Sequence, residues 1–186
     1  MTGRFISLEG GEGVGKSTQL ARLADALRAR GVEVRTTREP GGSAGAEAIR
    51  TLVMQGGVDR WSPQAEALLF AAARADHVER VIRPALAAGC WVMCDRFLDS
   101  SRAYQGVQGV DDAVLLALHG FGSAGLLPDR TLLMELAGED GADRARRRDG
   151  EAEDRYGARD SGFHRAVGAA FDGMAAAEPA RFRRVA

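Results

Sequence analysis

Short apolar runs alternate with longer amphipathic segments along the 186 residues of this chain. The short runs predict strands at 5–8, 32–37, 90–94, 131–134 and 182–185. The longer segments predict helices at 19–30, 46–55, 63–88, 111–119 and 163–177, with a kink near Pro84. We therefore predict an α/β fold, a three-layer α/β/α sandwich around a five-stranded parallel sheet whose last strand stands at the end of the chain.

The composition indicates one globular domain over 1–186, with no repeat or linker and with a highly charged segment at about 138–157. The net charge of −1 predicts neither a nucleic acid polymer nor a membrane surface as partner. Cys90 and Cys94 would lie on one strand face about 13 Å apart, too far for a disulfide. Since no signal peptide or membrane span is recognisable, we expect a cytoplasmic protein.

The segment between the first strand and the first helix fits the pattern G-x-x-x-x-G-K-[ST], which identifies a phosphate-binding P-loop. Lys16 is the only lysine among 25 basic residues, and a slim ammonium fits between phosphates where an arginine fork would be bulkier. The alternative is a chance match in a chain with 24 glycines, but the flanking strand and helix fit as well. The predicted nucleotide-binding residues are Gly10, Gly11, Glu12, Gly13, Val14, Gly15, Lys16, Ser17 and Thr18.

Asp95 and Arg96 follow the third strand at the carboxyl edge of the sheet, where open α/β sheets bind ligands. An aspartate there is the expected partner of the Ser17 hydroxyl in holding Mg²⁺ beside ATP. Arg96 would contact a phosphate on the transferring side. The alternative is a surface ion pair after a strand.

The charged segment carries several arginines, namely Arg144, Arg146, Arg147, Arg148 and Arg155. They suit a solvated helix face, or a lid that closes over the phosphates and excludes water so that ATP is not hydrolysed. On helix 63–88, Phe70 and Arg74 share a face and could stack on a base and bond its edge. The alternative is a core residue beside a surface residue.

Five blocks of sequence occur in an order that resembles bacterial thymidylate kinase (dTMP kinase), and the likeness spans 4–185. The blocks are the P-loop, Thr-Arg-Glu-Pro-Gly-Gly at 37–42, Leu-Phe-Ala-Ala-Ala-Arg at 69–74, Cys-Asp-Arg-Phe-Leu-Asp-Ser-Ser at 94–101 and Ala-Tyr-Gln-Gly at 103–106. The resemblance implies a P-loop kinase that transfers the γ-phosphoryl group of ATP to dTMP, giving dTDP and ADP for dTTP synthesis. It also implies a homodimer.

For the acceptor base, the resemblance implies that Phe70 stacks on thymine. Arg74 and Gln105 would address its polar edge, and Ser101 would line the same pocket. Tyr104 would pack under the deoxyribose.

For the acceptor phosphate, the resemblance implies that Arg50 and Arg96 hold it and that Glu12 lies near the sugar and the phosphates. Glu39 and Pro40 would shape the wall around the base. Lys16, Asp95 and Arg96 would form the catalytic set together with Glu12 and a lid arginine.

The lid arginine is implied because the P-loop has no arginine between its first and last glycine. Arg147, Arg148 and Arg155 are the candidates, and Arg155 is preferred since it belongs to an Asp-Arg pair like that of the family.

Two departures from the family pattern stand out. Gln108-Gly109 occupies the place of a Gly-Arg pair, and the chain stops at Ala186, where the family continues into an adenine-contacting loop and a final helix. We therefore expect a truncated form or a protein without that part, with normal dTMP binding but weak selection of the donor base. Another nucleoside monophosphate kinase, an ATP-dependent switch and an inactive paralogue remain as alternatives.

Overall fold

In the computed structural model, which describes residues 2–135 and 155–185, five strands form one parallel sheet. The strands are β1 Phe5–Glu9, β2 Val34–Arg38, β3 Trp91–Asp95, β4 Arg130–Met134 and β5 Phe182–Val185. Their order in the sheet is β2-β3-β1-β4-β5. The five-stranded parallel sheet is confirmed, and the last strand, β5, forms an edge of the sheet beside β4.

Seven α-helices and one π-helical segment lie between the strands within these ranges. The α-helices are α1 Lys16–Arg28, α2 Ala44–Met54, α3 Pro63–His77, α4 Arg83–Ala87, α5 Leu98–Val107, α6 Asp112–Ser123 and α7 Ser161–Ala177. The π-helical segment Val78–Ile82 joins α3 to α4. The change of hydrogen-bond pattern near Pro84 therefore comes just before the proline, which has no N–H to continue an α-helical ladder.

Apolar side chains cover both faces of the sheet and so create three layers. On one face, Leu8 belongs to a buried cluster with Leu20 of α1. On the other face, Phe5 of the same strand clusters with Ile82 and Leu98. Because successive residues of a strand point to opposite faces, residues three apart in β1 serve different layers.

Helix α7 completes the second face near the edge of the sheet. Phe171 and Met174 of α7 cluster with Leu133 of β4, Phe182 of β5 and Tyr104 of α5. This packing fixes α5 against the sheet, and α5 carries several residues of the candidate site.

The pattern of hydrophobic residues does not predict α5, and the structure shows why. Asp99, Ser101 and Gln105 are buried polar residues on this helix, so its inward face does not read as apolar. Helix α1 also begins earlier than predicted, at Lys16, because the first turn after the P-loop is made of polar residues.

Several other predictions can be placed on this fold. Cys90 and Cys94 are free thiols, as their predicted separation requires. Within residues 2–135 and 155–185, none of the helices has the length and apolar character that a membrane span needs. The predicted lid at 138–157 lies outside the described residues apart from 155–157, and so do Arg147 and Arg148.

Candidate active site

The P-loop connects β1 to α1 at the carboxyl edge of the sheet. Gly10 has a φ of 132°, and a Cβ placed on it would lie 2.5 Å from the carbonyl oxygen of Met134, so only glycine fits beside β4. Gly15 has a φ of 88° and caps the N-terminus of α1, which begins at Lys16. The loop therefore directs free amides and the positive end of the helix dipole to one place, which suits a phosphate.

Lys16 is buried beneath this loop, with 7% of its surface exposed. Its Nζ donates hydrogen bonds to the carbonyl oxygens of Gly10 at 3.2 Å and Gly11 at 2.6 Å. Burial, together with the nearby Arg96, lowers the pKa of Lys16 to about 8. The ammonium is thus held ready for an anion that would stabilise its charge.

Ser17 and Asp95 meet at the same edge, as predicted for a magnesium site. The Ser17 hydroxyl donates to Asp95 Oδ2 at 2.5 Å, although the two residues are 78 positions apart in the chain. A hydroxyl and a carboxylate supply oxygen ligands, which Mg²⁺ prefers, and kinases commonly provide one or two such protein ligands and leave the rest to phosphates and water. The residues present therefore fit Mg²⁺.

Arg96 lies between the P-loop and the cavity described below. Its Nη1 donates to Gly10 O at 3.1 Å and to Ser100 Oγ at 3.0 Å, and its Nη2 donates to Glu12 Oε1 at 2.6 Å. Its backbone has a φ of 67°, in the left-handed region that non-glycine residues rarely adopt. Such conformations persist where surrounding contacts over-determine them, often at functional sites.

Those contacts come from β1. The Arg96 amide donates to Leu8 O at 2.9 Å, and the next amide, of Phe97, donates to Glu9 Oε1 at 2.7 Å. Glu9 Oε2 accepts from Ser100 Oγ at 2.6 Å, so one buried carboxylate holds both ends of the first turn of α5. Burial and the neighbouring Asp99 raise the pKa of Glu9 to about 8.

Glu12 connects Arg96 to Tyr104, which also lines the cavity. Burial opposes its ionisation, but the Arg96 guanidinium and the Lys16 ammonium hold the pKa of Glu12 at about 2. The Tyr104 hydroxyl donates to the same Glu12 oxygen at 3.0 Å. Glu12 therefore stays charged and orders both neighbours.

A cavity of about 210 Å³ opens beside Arg96. All nine residues predicted to bind the acceptor line it: Glu39, Pro40, Arg50, Phe70, Arg74, Arg96, Ser101, Tyr104 and Gln105. Glu12, Ser17 and Asp95 also line it. The structure thus brings together residues from five separate parts of the sequence, while their individual roles stay predictions.

Arg74 forms a polar floor of the cavity. It is 4% exposed, its Nε donates to Glu39 Oε2 at 2.7 Å, and its Nη2 donates to Ser101 Oγ at 2.8 Å. Glu39 Oε1 lies 3.0 Å from His77 Nδ1, and His77 Nε2 lies 2.7 Å from the Thr37 hydroxyl. A chain of side-chain contacts therefore runs from β2 to the cavity.

Phe70 lies on the cavity side of α3, one turn before Arg74. Its ring meets Tyr156 edge-to-face, with 6.1 Å between ring centroids, and Tyr156 meets Tyr104 in the same way at 5.5 Å. Arg50 approaches from α2 and donates to Pro40 O at 2.8 Å. An aromatic wall and a polar floor thus border this part of the cavity.

Gln105 is 1% exposed and donates from Nε2 to Glu66 Oε1 at 2.9 Å. Glu66, in the first turn of α3, is fully buried and has no place among the predicted site residues. Glu9, Ser100 and Tyr156 are likewise absent from the prediction. A glutamate three residues into a predicted helix reads as an ordinary first-turn acid, so only the fold reveals Glu66 as a partner of Gln105.

Arg155 is held by main-chain acceptors. It is 3% exposed, and its Nε, Nη1 and Nη2 donate to the carbonyl oxygens of Gly57, Val53 and Val58 at 2.8 to 2.9 Å. Its Nη2 also lies 3.1 Å from Glu66 Oε2. Its catalytic assignment stays a prediction, and these contacts favour a positioning role instead.

The comparisons with known proteins agree with one another. Residues 8–186 match the family model described as thymidylate kinase. A curated thymidylate kinase of Rhizorhabdus wittichii is 60% identical over 186 residues, which cover 100% of this chain and 89% of that protein. Another, of Caulobacter vibrioides, is 53% identical over 180 residues, covering 96% of this chain and 86% of that protein. A crystal structure of thymidylate kinase from Ehrlichia chaffeensis matches with a TM-score of 0.81 at 30% identity, covering 100% of this chain and 93% of that one.

Proposed function

Because this chain belongs to the thymidylate kinase family, we propose that it transfers the γ-phosphoryl group of ATP to dTMP, giving dTDP and ADP. The observation that carries this proposal for the chain's own residues is the position of Arg96. Its guanidinium bonds Gly10 O and Glu12 of the P-loop while it lines the cavity. Donor and acceptor phosphates would therefore meet at one side chain.

The donor phosphates bind the amides and side chains of the P-loop, residues 10–18, and Lys16 lies at their centre. The ammonium that now donates to Gly10 O and Gly11 O can turn to phosphate oxygens without leaving its buried position. Such a fixed charge in a water-poor site stabilises the transferring group more than the same charge would in water.

The acceptor occupies the cavity with its base between Phe70 and Arg74. Arg74 only donates, so it suits the O4 acceptor of thymine and disfavours the amino group of cytosine. Gln105 and Ser101 complete the polar edge, Glu39 and Pro40 form the wall, and Tyr104 lies under the sugar. Arg50 and Arg96 bind the phosphate of dTMP.

In the reaction, an oxygen of the dTMP phosphate attacks the γ-phosphorus of ATP. A new P–O bond forms as the bond to the β–γ bridging oxygen breaks, and ADP leaves with that electron pair. The protein contributes alignment of the two phosphates and neutralisation of their charge by Lys16 and Arg96.

Ser17 and Asp95 would hold Mg²⁺ at this edge of the sheet. A divalent cation there neutralises phosphate charge and fixes the geometry of the donor. The 2.5 Å contact between the Ser17 hydroxyl and Asp95, which brings two possible oxygen ligands together, supports this assignment.

The chain also forms a homodimer in this proposal. Val114 and Phe121 are seven residues apart on one face of α6 and are 50% and 94% exposed, and Leu68 on α3 is 56% exposed. A surface with large exposed apolar side chains suits a second copy. Light scattering on the eluting protein should give twice the chain mass, and Phe121→Glu should shift it toward the monomer.

We place the enzyme in the cytoplasm, where its substrates and a reducing environment occur together. The free thiols of Cys90 and Cys94 suit such a compartment.

The test of the activity is ADP release with ATP and a panel of nucleoside monophosphates, followed by identification of the product. We expect rapid turnover with dTMP and with no other monophosphate of the panel, and we expect the product to be dTDP. ADP release without any acceptor would indicate an ATP-dependent switch. Preference for another monophosphate would indicate a different nucleoside monophosphate kinase, and the absence of turnover would indicate an inactive paralogue.

A further inference from the structure

A buried polar cluster lies behind the base end of the cavity, by which we mean the part lined by Phe70, Arg74 and Gln105. The cluster consists of Glu66, Gln105, Gln108 and Arg155, and we call it the Glu66 cluster. Glu66 Oε1 accepts from Gln105 Nε2 at 2.9 Å and from Gln108 Nε2 at 2.7 Å. Glu66 Oε2 lies 3.1 Å from Arg155 Nη2. Glu66 Oε1 thus accepts two hydrogen bonds, Oε2 faces the Arg155 guanidinium as an ion pair, and Gln105 is the member of the cluster that lines the cavity.

Arg155 fixes this carboxylate from the far side. Its three bonds to Val53, Gly57 and Val58 attach it to the end of α2 and to the connection that leads to α3. Burial of an ion pair is tolerable when the remaining donors are satisfied, and here they are satisfied by main-chain oxygens. The guanidinium is therefore a rigid support for Glu66.

Gln108, which stands where the family commonly has a Gly-Arg pair, is also a member of this cluster. Gln108 donates to Glu66 through Nε2 and accepts from Arg159 Nη2 through Oε1 at 2.8 Å. Since its amide is engaged at both ends, Gln108 occupies one lone-pair direction of Glu66 and restricts where Gln105 can bond.

The partner of Gln105 decides which end of its amide serves the base. A carboxylate paired to a guanidinium only accepts, so the nitrogen end of the Gln105 amide must face Glu66. The oxygen end is then left as the acceptor that this side chain can offer. Thymine carries a donor at N3 and cytosine an acceptor there, so an amide held in this orientation favours thymine.

We propose that Glu66 and Arg155 are positioning residues for base selection, which hold the Gln105 amide so that it accepts from thymine, and that Arg155 does not act on the transferring phosphoryl group. This rests on the proposed function, in which the base lies against Gln105.

The decisive variants are Glu66→Gln and Arg155→Lys. Glu66→Gln keeps the shape but lets residue 66 donate, so the Gln105 amide can turn over. Arg155→Lys keeps a positive charge near Glu66, but one ammonium cannot serve the three carbonyl oxygens. Arg165→Ala, which removes an exposed arginine from α7, is the control.

We expect both variants to lower the ratio of kcat/KM for dTMP over dCMP at least about tenfold. The change should lie in KM for dTMP, with kcat altered less than about threefold and KM for ATP unchanged. Calorimetric titration with dTMP and dCMP, without ATP, should show the same loss of preference. Arg165→Ala should match the wild type.

Two results would overturn the inference while leaving the proposed function intact: a large fall in kcat with unchanged dTMP binding in Arg155→Lys, or unchanged base preference in Glu66→Gln. Failure of the wild type to make dTDP would instead refute the proposed function. Thermal unfolding of each variant identifies any loss of folded protein. If Arg155→Lys proves unstable, the test rests on Glu66→Gln, which preserves the side-chain volume.

Discussion

The phosphate end of the cavity, beside the P-loop, combines a local motif with long-range contacts, whereas the base end depends on long-range contacts. At the phosphate end, Lys16 bonds carbonyl oxygens five and six residues away, within one loop. At the base end, Arg74 bonds a carboxylate 35 residues away and Gln105 one 39 residues away. The Lys16 contacts belong to a local motif, although Arg96 reaches Glu12 from 84 residues away. The contacts of Arg74 and Gln105 exist only once α3, α5 and β2 have packed together.

The two ends also differ in electrostatics. At the phosphate end, buried groups have shifted pKa values: Lys16 is lowered to about 8 and Glu9 raised to about 8. At the base end, Arg74 is paired with Glu39. Perturbed pKa values are common at sites that act on charged groups, and the phosphate end shows them.

The largest effect should come from the phosphate end. Lys16→Ala removes the ammonium around which the P-loop closes, so kcat should fall at least about 100-fold. The fold should survive, because Lys16 belongs to none of the buried apolar clusters that hold the layers together, and circular dichroism can verify this. Retention of more than a tenth of the wild-type kcat would show that the loop amides alone carry the charge.

At the base end, Phe70→Ala should weaken dTMP binding and leave ATP binding unchanged. Loss of stacking costs about 1–3 kcal/mol, or roughly 5- to 150-fold in KM for dTMP. Steady-state kinetics with each substrate varied in turn makes the comparison. Equal losses for both nucleotides would mean that Phe70 serves the core and that the base binds elsewhere.

The third prediction concerns the pH dependence of stability at the phosphate end. The pKa of Glu9 rises from 4.5 to about 8 on folding, through burial and then Asp99. The folded state therefore binds a proton that the unfolded state releases, so stability from this group is present below about pH 4.5 and is lost as the pH rises toward 8.

Glu9→Gln imitates the protonated carboxyl and should remove that loss. Urea unfolding at pH 5 and pH 7.5 should show the variant gaining on the wild type by more than about 1 kcal/mol at the higher pH. Glu79→Gln, at an exposed carboxylate, is the control. A constant difference between Glu9→Gln and the wild type would refute the raised pKa.

The sequence predicts the features that follow from motifs and topology rules better than the features that depend on side-chain packing. The sheet, the P-loop and the Ser17–Asp95 meeting follow from short motifs and from the rule that parallel strands end at a common edge. Helix α5 could not be predicted from periodicity, because its buried positions include Asp99 and Gln105. The place of Glu66 in the site could not be predicted for the same reason. In a sequence, a buried glutamate cannot be told from a surface glutamate until its partners, Gln105 and Arg155, are known.

The smallest effect should come from His77, a member of the base-end contacts that is connected to the cavity through Glu39 and Arg74. His77 is fully buried and stands between the Thr37 hydroxyl and Glu39, whose other oxygen holds Arg74. His77→Leu removes both bonds, and a hydrogen bond to a charged group contributes about 1.5–3 kcal/mol where it acts directly. Since His77 reaches the base only through Glu39 and Arg74, we expect part of that effect, a roughly three- to tenfold rise in KM for dTMP.

The matched variant His77→Gln keeps a donor and an acceptor and should recover most of the wild-type KM. Neither substitution should change KM for ATP, because the side-chain hydrogen bonds that run from Thr37 through His77, Glu39 and Arg74 lead to Phe97 and Ser101 rather than to Lys16 or Ser17. A fall in kcat with unchanged dTMP affinity would show that the two ends are coupled through β2, and the separation of a phosphate end from a base end would then have to be abandoned.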